Sequence, residues 1–373
     1  MIKIDLVTGF LGSGKTTFIR RYAQYLMAAG KRIAILENDY GAINVDMMML
    51  EDLEGDQCDL QMVVGGSDYD CHKRRLKSKL ITLGMLGYDR VIMEPSGIFD
   101  VDEFTDTLRE DPLDRWYEIG SVITIVDAFM KEELSPESEY LIVSQTADAG
   151  AVVLSRTQNA DEAQKRAVID HINRAFDRFR CSRTLGAEDL ILVKPWDQYT
   201  HEDYERILQA GFVHADHIKM PVTDDNEYDS MFYMNVRMKE AEIRPTIEKM
   251  LSDANSGRII RIKGYISVKE PGVSMSDDGE GLTGNQGMAE VAPGVTNLPE
   301  EDEEAAAPRT GGGETAENCR WIEINATSDE IQTQETARGQ EVVIVIGENL
   351  NRDRIAEYLT FSYGSGHEFI RRE

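Results

Sequence analysis

Gly9-Phe10-Leu11-Gly12-Ser13-Gly14-Lys15-Thr16-Thr17 follows directly on the apolar-alternating run Ile2 to Thr8 and leads into an amphipathic run from Thr16 to Ala29. Strand, glycine-rich turn and helix in that order, with G-x-x-x-x-G-K-[ST] across the turn, are the frame of a phosphate-binding loop. Glycines let backbone N–H groups turn inward around a β-phosphate, and the helix N-terminus adds the positive end of its dipole. On this reading Gly9, Gly12, Ser13, Gly14, Lys15, Thr16 and Thr17 hold a nucleoside triphosphate. Lys15 reaches the β- and γ-phosphates, and the Thr16 hydroxyl ligates Mg²⁺.

Outward from the loop, strand-like and helix-like runs alternate. Further strands are expected at Arg32 to Glu37, Arg90 to Glu94, Ser121 to Asp127, Ala151 to Leu154 and Leu190 to Val193, and helices at Lys73 to Leu86 and Asp161 to Phe179. That alternation predicts an α/β fold, a doubly wound and mostly parallel sheet covered by helices on both faces. The nucleotide-binding domain is expected over residues 1–221, followed by a helical connector over 222–257 in which Glu227 to Ala254 reads as helix. A smaller C-terminal α+β domain is expected over 258–373, with strands at Arg258 to Val268, Trp321 to Thr327 and Glu341 to Ile346 and a helix at Arg352 to Leu359. Between its first two strands, Lys269 to Asn318 carries twelve acidic residues against two basic, with four prolines and nine glycines. Such a composition predicts a disordered acidic insertion.

Phosphoryl transfer to water needs charge neutralisation and an oriented nucleophile more than covalent chemistry, so acidic partners are expected at neighbouring strand ends. Glu37-Asn38-Asp39-Tyr40-Gly41 and Glu94-Pro95-Ser96-Gly97 stand in those places. Glu37, Asp39 and Glu94 are the candidates for the metal and the attacking water.

Sixty-eight acidic residues against 40 basic give a net charge of -28, which disfavours nucleic acid and anionic membrane as partners. Cys58, Cys71, Cys181 and Cys319 are too scattered for a disulfide framework, and the chain shows neither a leader nor a spanning segment. A cytoplasmic location with reduced thiols is expected.

The motifs together resemble the CobW-type GTPases, a metallochaperone family that includes the urease and hydrogenase nickel-insertion proteins. The resemblance rests on the loop GFLGSGKTT, on LENDYGAINVD at Leu36 to Asp46, on EPSG at Glu94 to Gly97, and on the strand ending in Val126-Asp127-Ala128. It extends to Gln145 with Ala147-Asp148, and to a CobW-like C-terminal domain carrying Arg261-Ile262-Lys263-Gly264-Tyr265 and Gly347-Glu348-Asn349-Leu350. It implies a GTP hydrolase with Mg²⁺, in which Glu37, Asp39 and Glu94 sense the γ-phosphate, delivering a metal such as Zn²⁺, Co²⁺ or Ni²⁺ to a client metalloenzyme or cofactor-assembly protein.

The chain departs from that pattern in three places. Where the family reads guanine with N-K-x-D, the sequence has Ser155-Arg156-Thr157-Gln158. The Gln158 side chain imitates only in part an Asp that accepts two guanine hydrogen bonds, so the base is GTP or ATP. Trp196, after the next strand, is a candidate for stacking on the base or for a strand-end turn. In place of the family's C-x-C-C stands Gly65-Gly66-Ser67-Asp68-Tyr69-Asp70-Cys71-His72, where Cys71 and His72 with Asp70 or Asp68 would make a mixed metal site, Cys58 being a further candidate ligand. His214 and His217 have metal-like spacing too. Asp39 stands where the family has Glu. A nucleotide-dependent assembly switch without its own metal and a P-loop phosphotransferase are the alternative readings.

Overall fold

The computed structural model describes residues 1–39, 45–64, 69–95, 101–218, 229–234, 236, 238–269, 319–328, 330–336 and 339–359. The expected acidic insertion lies outside these, apart from its first residue.

Seven strands form one parallel sheet: β1 (Ile2–Thr8), β2 (Ile33–Asp39), β3 (Cys58–Val64), β4 (Arg90–Pro95), β5 (Tyr117–Asp127), β6 (Ala151–Ser155) and β7 (Leu190–Leu192), in the order β3-β2-β4-β1-β5-β6-β7. Successive side chains of β1 point to opposite faces, so Leu6 enters one core and Val7 the other. On the Val7 side the helix Lys15–Ala28 buries Phe18, Ile19, Tyr22 and Leu26 against Ile33, Ile92 and Ile125. On the Leu6 side the helices Tyr69–Leu86, Val101–Leu108 and Glu162–Arg178 supply Leu76, Leu80, Phe104, Ile172 and Phe176. The last of these opens on a capping box between Asp161 and Gln164. The strand order reverses about β1, and the phosphate loop leaves its C-terminal end, where open α/β sheets bind ligands.

A second, antiparallel sheet is formed by β8 (Asp229–Met234), β9 (Arg258–Lys269), β10 (Cys319–Ala326), β11 (Ile331–Thr336) and β12 (Val342–Glu348), ordered β11-β10-β9-β12-β8. The helices Glu240–Ser252 and Arg352–Leu359 cover one face with Ile243, Ile247, Met250 and Ile355. Lys269 and Cys319 are paired neighbours at one end of the β9–β10 ladder.

Three strands were not expected from the sequence. β3 and β11 are edge strands whose interleaved polar residues, Asp59 and Gln61 in one and Gln332 and Gln334 in the other, blur the apolar pattern. β8 corrects the helical reading of the stretch from Glu227. Its Phe232 and Tyr233 pair with Ile344 and Val343 of β12, and the helix begins only at Glu240. Aromatic residues at an open sheet edge gain more from that pairing than from local helix propensity. The second sheet thus takes in a strand upstream of residue 258. Among the described residues no helix is long and apolar enough to cross a membrane.

Candidate nucleotide site

The loop's glycines are required by its geometry. At Gly9, φ is +144° and a Cβ would lie 2.3 Å from the Ile125 carbonyl oxygen; at Gly14, φ is +96° and a Cβ would press on the Trp196 ring at 3.3 Å. Gly14 caps the helix Lys15–Ala28 without a side-chain hydrogen bond, and the first turn holds no acidic residue. Its N–H groups and dipole are therefore left to an anion. Lys15 is buried and donates from Nζ to the Gly9 carbonyl at 3.0 Å, so the loop closes over its own lysine. Ser13 is buried within the loop, and Thr17 is exposed.

The acidic residues converge on the next position. Thr16 Oγ1 donates to Glu94 Oε1 at 3.2 Å. Glu37 stands in register with Glu94 across β2 and β4, and both are nearly buried, at 3% and 5% exposure. Two carboxylates abreast in the interior need cations, which Lys15 and a divalent metal would supply. A hydroxyl and carboxylate oxygens are hard ligands of the kind Mg²⁺ takes. Asp39 closes β2, but its side chain lies outside the described residues, as do 40–44 and 96–97.

On the other flank, β6 ends at Ser155 and Arg156 turns the chain with φ of +56°. The Arg156 guanidinium pairs with Asp127 at 2.8 Å and with Glu330, just before β11, at 2.9 Å, and it donates to the Gly12 carbonyl at 3.4 Å. Gln158 is exposed. Trp196 opens a short 3-10 turn after β7, donates from Nε1 to the Leu154 carbonyl at 3.0 Å and meets Phe18 edge-on. The indole is thereby a wall behind Gly14, a role that the choice between base stacking and a turn did not include.

Asp70, Cys71 and His72 belong to the first turn of the helix Tyr69–Leu86, but their side chains lie outside the described residues, as does residue 68 altogether. Cys58 opens β3, whereas the segment from Gly65 follows the other end of that strand, roughly 20 Å away at ~3.3 Å per residue. Burial, with Asp59 and Glu54 nearby, also pushes its thiol up to about 12. His214 is exposed, and His217 packs on Tyr140. Among the described residues no group of three or more His, Cys, Asp or Glu is placed to hold a metal.

Residues 3–183 match the family model of the CobW/HypB/UreG nucleotide-binding domain. This stretch is a CobW/HypB/UreG domain. The zinc chaperone YjiA of Escherichia coli is 30% identical over 173 residues, 44% of this chain and 52% of that protein. The zinc chaperone YeiR of the same organism is 25% identical over 169 residues, 45% of this chain and 50% of that one. The chain spans about half the length of these curated relatives. Among solved structures, the Zn(II)-bound YjiA GTPase from E. coli aligns over 96% of this chain and 98% of its own, at 17% identity and a TM-score of 0.36.

Two cavities lie between the CobW/HypB/UreG domain and the second sheet. One, of about 790 Å³, is bounded by Thr16, Thr17 and Arg20 on one side and by Tyr265, Glu323 and Asn325 on the other. The other, of about 100 Å³, lies behind the loop among Phe10, Ile125, Phe129, Ile142 and Ile259. Sequence reasoning placed the loop and its carboxylates but missed the residues brought in from across this boundary. The available signal was Arg261 and Lys263, two cations at alternate positions inside a largely apolar strand, which puts them on one face.

Proposed function

We propose that this chain is a Mg²⁺-dependent nucleoside triphosphatase, with GTP the first candidate substrate, whose hydrolysis drives delivery of a metal ion or metal-containing cofactor to a client protein. The observation that carries the reading is the Thr16–Glu94 contact, with Glu37 abreast of Glu94, at the end of a loop already closed over Lys15. When bound, Mg²⁺ supplies charge neutralisation at the phosphate oxygens. Lys15 and the N–H groups of Gly12 to Thr16 bind the β- and γ-phosphates, Thr16 and Glu94 hold the metal side, and Glu37 and Asp39 orient the attacking water. Delivery of a metal is supported by the family and by the names of the two relatives, both zinc chaperones. Zn²⁺ is therefore the first cargo to test, ahead of Co²⁺ and Ni²⁺.

The test measures triphosphate binding and turnover for the wild type and for Lys15→Ala, with folding checked by circular dichroism. The variant is expected to lose on the order of 2–4 kcal/mol of transition-state stabilisation. Equal affinity and turnover in a folded Lys15→Ala protein would overturn the site. A second reading, a nucleotide-dependent assembly switch with no metal of its own, is favoured by the single thiol, Cys71, in the segment where the family has several. Zn²⁺ titration against a competing thiol chelator in the triphosphate, diphosphate and nucleotide-free states separates the two. Cargo delivery requires an affinity that changes with the nucleotide.

A further inference from the structure

Glu330, in the turn from β10 to β11, reaches the phosphate loop through Arg156. In that turn the Thr327 N–H donates to the Glu330 carbonyl at 2.8 Å, and Thr327 Cγ2 lies 3.1 Å from where a Cβ on Gly12 would stand. Glu330 Oε1 accepts from Gln332 Nε2 at 2.9 Å, and its Oε2 faces Arg156. The Arg156 fork then has a partner at each nitrogen: Nε meets Glu330 at 2.9 Å, Nη1 meets Asp127 of β5 at 2.8 Å, and Nη2 donates to the Gly12 carbonyl at 3.4 Å. The Arg156, Asp127 and Glu330 side chains are 17%, 20% and 31% exposed, sheltered enough that salt screens them less than it does a surface pair.

One carboxylate would balance the guanidinium charge. The second comes from the other sheet, and what it adds is direction, since a planar fork held at three points can neither swing nor tilt. The Gly12 carbonyl and the Ser13 N–H belong to one planar peptide. That N–H closes the first turn of the loop on the Phe10 carbonyl at 3.1 Å, so fixing the Gly12 carbonyl fixes the turn. We propose that Glu330 is a positioning residue for the nucleotide site: through Arg156 it holds the loop in the shape that receives the β-phosphate, so that nucleotide affinity depends on the seating of the second sheet. The proposal rests on the reading of the loop as a triphosphate site. By linkage, a bound nucleotide tightens the hold of the second sheet by the same factor. Electrostatics alone predicts the opposite sign, because taking a negative charge from beside an anion site strengthens anion binding. Weaker binding on loss of the Glu330 charge therefore reports lost positioning.

The experiment uses the full chain and the guanine or adenine nucleotides, whichever bind more tightly. Dissociation constants of the diphosphate and of a non-hydrolysable triphosphate are measured by calorimetry, with melting temperatures alongside, for the wild type, Glu330→Gln, Arg156→Gln and the double variant. Glu248→Gln, which takes the same charge from a pair with Arg244 elsewhere in the second domain, is the control. Glu330→Gln is expected to weaken both nucleotides about three- to tenfold, the scale of coupling carried by a side-chain network, because both share the β-phosphate. In the Arg156→Gln background the same substitution should have no further effect, and Glu248→Gln should bind as the wild type does. Unchanged or tighter binding by Glu330→Gln overturns the assignment, whatever its melting temperature, and so does an equal loss in Glu248→Gln. A loss by the same factor with and without Arg156 also overturns it, since Glu330 would then act by another route. Should Arg156→Gln not fold, Arg156→Lys serves as the background, its ammonium lacking the fork that Glu330 orients. A wild type that binds neither nucleotide refutes the loop reading as well, whereas wild-type binding with an unaffected Glu330→Gln refutes this inference alone.

Discussion

Gln158 and Arg156 stand two positions apart in one turn, yet only Arg156 reaches other parts of the molecule, touching Asp127, Glu330 and the Gly12 carbonyl. Gln158 is exposed at the rim, where a carboxamide offers guanine one acceptor oxygen but no charge. The wild type is therefore expected to prefer GTP over ATP only weakly. Gln158→Asp is expected to raise that preference by about 1–3 kcal/mol, read as the ratio of the two dissociation constants in competition binding. An unchanged ratio would mean that another group reads the base. Lys15, Thr16, Glu37 and Glu94 were legible because each belongs to a short motif whose spacing is tied to a strand end. The packing of Trp196 on Gly14 was not, since it joins residues 182 positions apart.

β1 shows how an element can carry a hidden requirement. Asp5 is fully buried, accepts from Arg90 at 2.5 Å, from the Tyr22 hydroxyl at 2.8 Å and from the Ser121 N–H at 2.7 Å, and sits where the β1–β5 register shifts between Ile4 and Leu6. Gly120 makes room for it, since a Cβ there would come within 2.1 Å of the carboxylate. Burial first, and then the neighbouring Asp5 charge, hold the Tyr22 hydroxyl well above its ordinary pKa, so it remains a donor. Asp5→Ala strands the Arg90 guanidinium and is expected to cost about 3–5 kcal/mol in urea unfolding. A loss below about 1 kcal/mol would show that water or another acceptor replaces the carboxylate. In the sequence Asp5 reads as a polar interruption of an apolar strand. Its partners lie on other strands or on a helix, and no local pattern announces them.

For the whole molecule, the insertion and the domain boundary make opposite predictions. Lys269 and Cys319 are already neighbours, so replacing residues 270–318 by a short Gly/Ser turn should leave nucleotide turnover and the melting temperature nearly unchanged, closure of a shorter loop costing slightly less entropy. A fall of more than about 5 °C would show that the acidic segment packs on the fold. At the boundary, by contrast, Arg261 of β9 and Thr327, just after β10, approach Gly12 of the phosphate loop, and Glu330, just before β11, pairs with Arg156. Substitutions there are expected to act on nucleotide chemistry although they lie more than 240 residues along the chain from Lys15.

Residues 2–17 by themselves determined a strand, a glycine turn and a helix end able to bind phosphate. Hydrophobic periodicity, with the glycine and lysine spacing, acts within a few residues and so is visible in one dimension. The alternation of strands and helices likewise determined the parallel α/β class. Tertiary structure alone decided that Glu37 and Glu94 lie abreast, that an aromatic stretch after residue 228 joins the second sheet as β8, and that β9 brings Arg261 up to Gly12 of the loop. Each of these depends on strand register or on the packing of two sheets, where a shift of one residue would turn the side chains to the opposite face, and no stretch of the chain encodes such a choice locally.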